Sequence, residues 1–75
     1  MHDWLDVHGL RARRGGSTSK ARAFLASLPI DRGWPRVRLA RSRRGHPHRE
    51  IHAGDYERMC RGLGPPPEAR EAIAA

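Results

Sequence analysis

Apolar side chains in this chain recur with two different periods, and the change of period separates a helical part from an extended part. Over residues 19–28 the apolar positions are spaced i, i+3, i+4 and i+7, and they are Ala21, Phe24, Leu25 and Leu28. This spacing forms one face of a helix. The hydroxyl side chains of residues 17–19 can cap its N-terminus, and Pro29 stops it.

From residue 36 onward the pattern changes to alternation. Basic residues alternate with Val37 and Leu39, as in a strand with one buried face. Gly45 allows a turn, and Ile51 is the strong apolar residue of the returning segment. The pattern therefore predicts a two-stranded hairpin over residues 36–52. Because such a hairpin is not stable alone, we expect it to pack on the helices, with Trp34 between them.

The N-terminal segment predicts a short first helix. Asp3 can cap it, and the helix would run through Leu10 before the arginines and glycines of residues 11–16 break it.

The C-terminal segment predicts a third helix and a tail. Asp55 can cap the third helix, whose apolar stripe would consist of Tyr56, Met59, Cys60 and Leu63. The prolines of residues 65–67 then lead into a last short helix over residues 68–75.

Together these elements predict a small α+β fold that is mainly α, a winged helix-turn-helix over residues 1–64 with a proline-led helical tail over residues 65–75. A chain of 75 residues buries only about 60% of its unfolded surface. The core is therefore thin and leaves little room for a small-molecule pocket. Its expected members are Trp4, Leu5, Leu10, Phe24, Leu25, Leu28, Ile30, Trp34, Val37, Leu39, Ile51, Tyr56, Met59, Leu63 and Ile73.

Composition argues against several classes of protein. Cys60 is the single cysteine, so no intrachain disulfide can form. No apolar run approaches the roughly 18 residues of a membrane span, and the first residues lack the apolar stretch of a signal peptide. We therefore expect a cytoplasmic protein without a membrane partner. The excess of arginine over lysine favours a bacterial or phage-encoded chain.

Positive charge is concentrated in the middle of the chain. Twelve of the fifteen Lys and Arg residues lie between Arg11 and Arg49, together with a single acid, and the net charge is +7. A basic region confined in this way is the electrostatic footprint of nucleic-acid binding. The residues expected to contact nucleic acid are Arg13, Arg14, Ser17, Ser19, Lys20, Arg22, Arg36, Arg38, Arg41, Arg43, Arg44, His46, His48 and Arg49.

The sequence predicts no metal centre and no catalytic group. The candidate zinc ligands are His46, His48, His52 and Cys60. Their spacing lacks the paired close ligands that structural zinc sites usually show. Cys60 is expected on the buried stripe of its helix, where thiols are inert. Glu50 lies near two of the histidines, but one carboxylate holds a catalytic magnesium ion poorly. We therefore expect no cofactor and no enzymatic activity.

The order of several features resembles a known family. These features are Trp4 near the start, a helix capped from Ser17, the pair Gly33-Trp34 after it, and a basic hairpin with Gly45 at its tip. The chain resembles the winged-helix DNA-binding domain of bacteriophage Mu-type repressors and transposases, and more loosely the excisionase and MerR-like winged helices. The resemblance covers about residues 4–52.

The resemblance implies a mode of binding to duplex DNA. The second helix would enter the major groove with Lys20 and Arg22. The wing would contact phosphate or the adjacent minor groove through Arg41, Arg43 and Arg44. The implied function is that of a phage-type transcription regulator, an excisionase or a transposition accessory protein.

Two other classes of function remain open. An RNA-binding or ribosome-associated module would use the same arginines, although single-stranded RNA binding usually requires exposed aromatic residues. The four aromatic residues here are expected in the core. A small phage-encoded inhibitor, of the anti-CRISPR type, would instead bind an acidic protein surface or block a nucleic-acid path. A homodimer is compatible with each of these functions.

Overall fold

A computed structural model describes residues 3–30, 33–42 and 44–67. Within these residues it shows a mixed α+β fold with three helices and a three-stranded antiparallel sheet. In chain order the elements are β1 (Trp4–Leu5), α1 (Val7–Arg14), α2 (Thr18–Ser27), β2 (Val37–Arg41), β3 (Pro47–His52) and α3 (Ala53–Cys60). The order in the sheet is β1-β3-β2, so the return strand of the hairpin lies in the centre.

The predicted helix from Asp3 to Leu10 is wrong in its first half. The strand β1 occupies that place and pairs with β3. Helix α1 begins only after Asp6, whose Oδ1 accepts a hydrogen bond from the backbone N–H of Gly9 at 2.8 Å. The arginines that follow do not break the helix, which continues to Arg14. Both aspartates are competent caps, and the pairing with β3 selects the second one.

The second helix is confirmed, with its N-terminus capped as expected. The Oγ of Ser17 accepts a hydrogen bond from the backbone N–H of Lys20 at 3.1 Å. Three residues, 15–17, join α1 to α2. The first of them, Gly15, has a φ of 74° and donates its N–H to the carbonyl of Arg11 at 2.7 Å. This left-handed conformation ends α1 and favours glycine.

The predicted hairpin is confirmed, but its sheet is not two-stranded. Strand β1 adds to the free edge of β3, so that β3 is paired on both sides. The innermost row consists of Leu5, Ile51 and Val37, which are direct neighbours across the three strands and are all buried. The hairpin is therefore anchored through the sheet as well as by packing on the helices.

The core is smaller than the sequence suggests. Its buried members are Leu5, Leu10, Ala21, Leu25, Val37, Ile51 and Tyr56. The prediction was wrong for Leu39 and Leu63, whose exposed fractions are 60% and 45%. Leu39 shares the inward side of β2 with Val37, and its exposure shows that the helices do not cover this part of the hairpin. Trp4 and Trp34 are only half-buried.

Helix α3 begins earlier than predicted. Its N-cap is His52, whose Nδ1 accepts a hydrogen bond from the backbone N–H of Asp55 at 3.4 Å. Asp55 is therefore not the cap. Its carboxylate is buried instead, with 2% of the residue exposed. Cys60 is exposed, which corrects its expected place on the buried stripe.

Two further expectations concern the C-terminal segment and membranes. The predicted tail helix over residues 68–75 lies outside the described residues. Among the helices of the described part of the chain, none is long and apolar enough to cross a membrane.

Candidate nucleic-acid interface

Within the described residues, the predicted nucleic-acid contacts divide into side chains that form ion pairs with acids and side chains that do not. Arg36 belongs to the first group. Its Nε and Nη2 donate to Oδ2 and Oδ1 of Asp55, each at 3.0 Å, and its backbone N–H donates to Oδ2 at 2.8 Å. Arg36 therefore fastens the start of β2 to α3.

This ion pair sets the charge state of Asp55. Burial alone would raise the pKa of the carboxyl group, but the hydrogen bonds and positive charge of Arg36 outweigh it and hold the pKa below its ordinary value. The carboxylate remains ionised at neutral pH, and it holds the Arg36 guanidinium on this side of the molecule.

Arg38 is held on the outer face of the sheet. Its Nε donates to Oε1 of Glu50 at 2.8 Å, across the β2–β3 pair. The guanidinium carbon also lies 4.2 Å from the ring centre of Trp4, within the range of a cation–π interaction. Trp4 is thus committed to an arginine and to the T-shaped contact with His52, and it is not an open stacking surface for bases.

Two arginines at the end of α1 also have neighbours. Arg13 forms an ion pair with Glu57 of α3 at 2.7 Å, with both side chains largely exposed. Arg14 lies over the ring of Phe24, with the guanidinium carbon 5.2 Å from the ring centre. The positive charge of Arg14 has no acidic partner among the described residues, so it remains available to an anion.

Arg49 joins the hairpin to α2. Its Nη1 donates to the backbone carbonyls of Ala26 and Leu28 at the C-terminus of that helix. A cation at this end of a helix is favourable, because the carbonyls there carry partial negative charge. The contact fixes the hairpin relative to α2, which the sequence pattern alone does not reveal.

Lys20 and Arg22 are exposed on α2, and neither has an ion pair or a side-chain hydrogen bond within the described residues. Arg22 lines a surface cleft between α2 and β3, opposite Pro47 and His48. Residues 19, 23, 26 and 27 of α2 are also exposed and small. The exposed face of this helix therefore combines unpaired cations with a backbone that a partner can approach closely.

The hairpin tip carries further exposed basic groups. Arg41 makes one hydrogen bond, from Nη1 to the carbonyl of Gly45 at 3.3 Å. Arg44 is exposed and has no side-chain partner in the part of the chain that is described. The backbone N–H of His46 donates to Oγ of Ser42 at 3.2 Å, and His46 itself is exposed. Arg43, predicted as a contact, lies outside the described residues.

Three of the predicted polar contacts have other surroundings. The Oγ of Ser17 accepts the α2 cap hydrogen bond, whereas Ser19, two residues further on, is exposed. His48 is half-buried on β3, with its Nε2 3.4 Å from Oε2 of Glu50. His48 thus belongs to the outer sheet face rather than to the hairpin tip.

Sequence reasoning missed one member of a cluster on this outer face. Asp6, at the exit of β1, lies beside His48 and Glu50, and one ligand-type atom from each residue lies within 4.8 Å of the others. The sequence already placed Glu50 near His48, and the alternation along β3 puts both on the same side of the sheet. Asp6 gave no signal, because its position depends on the unforeseen pairing of β1 with β3.

Comparisons with known proteins add no relative. No family model, no curated protein and no solved structure matches this chain. The resemblance to Mu-type winged helices stays a prediction.

Proposed function

We propose that this protein binds duplex DNA through α2 and the hairpin tip, as a winged helix-turn-helix module. The observation that carries the proposal is the distribution of ion pairs. Within the described residues the arginine–carboxylate pairs are Arg13–Glu57, Arg36–Asp55 and Arg38–Glu50. None of them involves α2 or the hairpin tip. Lys20 and Arg22 on α2, and Arg41 and Arg44 at the tip, therefore have no acidic partner within the described residues, and unpaired cations of this kind are the electrostatic signature of phosphate binding.

The connection between the first two helices supports the same function. A DNA-binding helix-turn-helix joins two helices by a turn of about three to four residues that often contains glycine, and its second helix enters the major groove. Here α1 and α2 are joined by residues 15–17, with Gly15 at a positive φ. In this proposal α2 is the recognition helix, with Lys20 and Arg22 in its first half.

The hairpin supplies the wing in this proposal. It follows α2 in the chain, and Arg49 fastens its return strand to the C-terminus of α2. Arg41 and Arg44 at the tip would contact phosphates or the minor groove beside the helix. In a cell, such a module would act as a phage-type transcription regulator, an excisionase or a transposition accessory protein.

The test is the salt dependence of binding to random duplex DNA, measured by fluorescence anisotropy. Within the described residues, six basic side chains of this region have no carboxylate partner, although Arg14, Arg41 and Arg49 make other contacts. They are Arg14, Lys20, Arg22, Arg41, Arg44 and Arg49. If five or six of them neutralise phosphates, the slope of log K on log salt should be about −5. An affinity unchanged between low and moderate salt would contradict the proposal.

The same titration distinguishes the other classes of function. A single-stranded RNA of equal length should bind more weakly than the duplex, because Trp4 and Phe24 are engaged with arginines rather than open for base stacking. Tighter binding to the RNA would favour the RNA module. No binding to either nucleic acid would favour an inhibitor of an acidic protein surface.

A further inference from the structure

We propose that Asp6, His48 and Glu50 form a binding site for one divalent transition-metal ion, with Zn²⁺ as the best match. The Nε2 of His48 and Oε2 of Glu50 are 3.4 Å apart. Two ligand atoms at about 2.1 Å from a tetrahedral zinc ion are about 3.4 Å apart, so this pair already has the spacing of two zinc ligands. One oxygen of Asp6 completes the set, within 4.8 Å of the other two ligand atoms.

One oxygen of each carboxylate is positioned by a hydrogen bond to a group outside the cluster. Oε1 of Glu50 accepts from Nε of Arg38 at 2.8 Å, whereas Oε2 faces His48. Oδ1 of Asp6 accepts from the N–H of Gly9 at 2.8 Å. Hydrogen bonds of this kind orient metal-ligating carboxylates in proteins. The cluster therefore contains hydrogen bonds that orient its carboxylate ligands as well as the ligands themselves.

The ligand types select the class of metal. One imidazole nitrogen and two carboxylates suit Zn²⁺ and related transition metals, whereas Mg²⁺ prefers oxygen ligands and retains its waters. Three protein ligands leave a fourth position for water. Asp6 and His48 line a surface cleft, which gives the ion a path to the site.

The two carboxylates of the cluster share one arginine in direct ion-pair contact, Arg38 on Glu50, and a bound cation would offset the charge of the other carboxylate. The ion would link the exit of β1 to the middle of β3, and so strengthen the pairing that anchors the hairpin. Zn²⁺ should therefore raise the melting temperature of the metal-free protein.

The experiment is a Zn²⁺ titration of the full chain by isothermal calorimetry, in a Cys60→Ser background because the exposed thiol of Cys60 also binds zinc. Two variants remove ligands, His48→Ala and Asp6→Asn. Asparagine still caps α1, so the second variant keeps the helix while weakening the ligand. The matched control is His46→Ala, which removes an exposed histidine close by on the same hairpin.

The background protein and His46→Ala should each bind one Zn²⁺, and both ligand variants should bind at least about tenfold more weakly. Co²⁺ in place of Zn²⁺ should give visible absorption bands that weaken in the same two variants. If His48→Ala is unfolded by circular dichroism, Asp6→Asn decides. Equal Zn²⁺ affinity in Asp6→Asn and His46→Ala, or no saturation at one ion per chain, would overturn the site.

Discussion

The arginines of this protein lie in two kinds of region, and the regions differ in whether acidic side chains lie close enough to pair with them. On the outer sheet face and α3, Arg36 forms an ion pair with Asp55 and Arg38 forms one with Glu50. These pairs hold secondary-structure elements together. On α2 and the hairpin tip, exposed cations such as Arg22 have no acidic partner within the described residues. The difference teaches that a basic segment of sequence is not yet a binding surface. The positions of a few acids decide which of its cations remain available to a ligand.

The largest effect is expected from breaking the buried pair. Asp55→Ala removes the acceptor of three hydrogen bonds from Arg36, and hydrogen bonds to a charged group contribute roughly 1.5–3 kcal/mol. We expect the free energy of unfolding to fall by about 3 kcal/mol in urea denaturation. Glu57→Ala is the matched control on the same helix, because its pair with Arg13 is exposed and should contribute less than about 1 kcal/mol. Equal losses in both variants would remove the distinction between buried and exposed pairs.

A smaller effect is expected for DNA recognition when one side chain of α2 is removed. Arg22→Ala should reduce the preference for a selected site over random duplex by about 1–3 kcal/mol, because a fixed helix can present arginine to base edges. Arg44→Ala, alone or with Arg43→Ala, should weaken binding to all duplexes alike, since phosphate contacts carry no sequence information. Site selection followed by binding assays on cognate and scrambled duplexes measures both. If the tip variant loses the preference while Arg22→Ala keeps it, α2 is not the recognition helix.

The smallest effect expected comes from pH. Asp55 has a folded-state pKa below its unfolded value, so its contribution to stability is present above the unfolded pKa of about 3.9 and is lost as the pH falls toward the folded pKa. Urea denaturation at a series of acidic pH values should show this loss. Asp55→Asn should show a shallower dependence over the same interval. An unchanged slope in that variant would mean that the carboxylate is not held ionised by Arg36.

Local signals predicted the parts of the fold that depend on local interactions. The cap at Ser17, the apolar face of α2 and the alternation of the hairpin were all readable, because each rests on neighbours within a few residues. Strand β1 was not, since a strand of two residues exists only through its pairing with β3. The burial of Asp55 has the same origin, because its partner Arg36 lies 19 residues earlier, just before β2.

The sequence predicted which basic residues belong to the candidate site, but not which of them remain without an acidic partner in the folded protein. Charge alone placed Arg36 and Arg38 with Lys20 and Arg22, because the sequence does not show which cations meet acids across the sheet. The register Arg38↔Glu50 supplies that information only after β2 and β3 are paired. The Asp6 carboxylate joined the cluster on β3 for the same reason.

The most direct test of the account compares two charge-matched double variants in the salt titration with duplex DNA. Lys20→Gln with Arg22→Gln removes two unpaired cations, whereas Arg13→Gln with Arg38→Gln removes two that are paired with acids. Because each lost phosphate contact changes the slope by about 0.9, the first variant should have a slope shallower by about 2 than the unmodified protein. The second should leave the slope unchanged, with circular dichroism confirming that both are folded. Equal changes in the two variants, or a change only in the second, would contradict the division between paired and unpaired arginines.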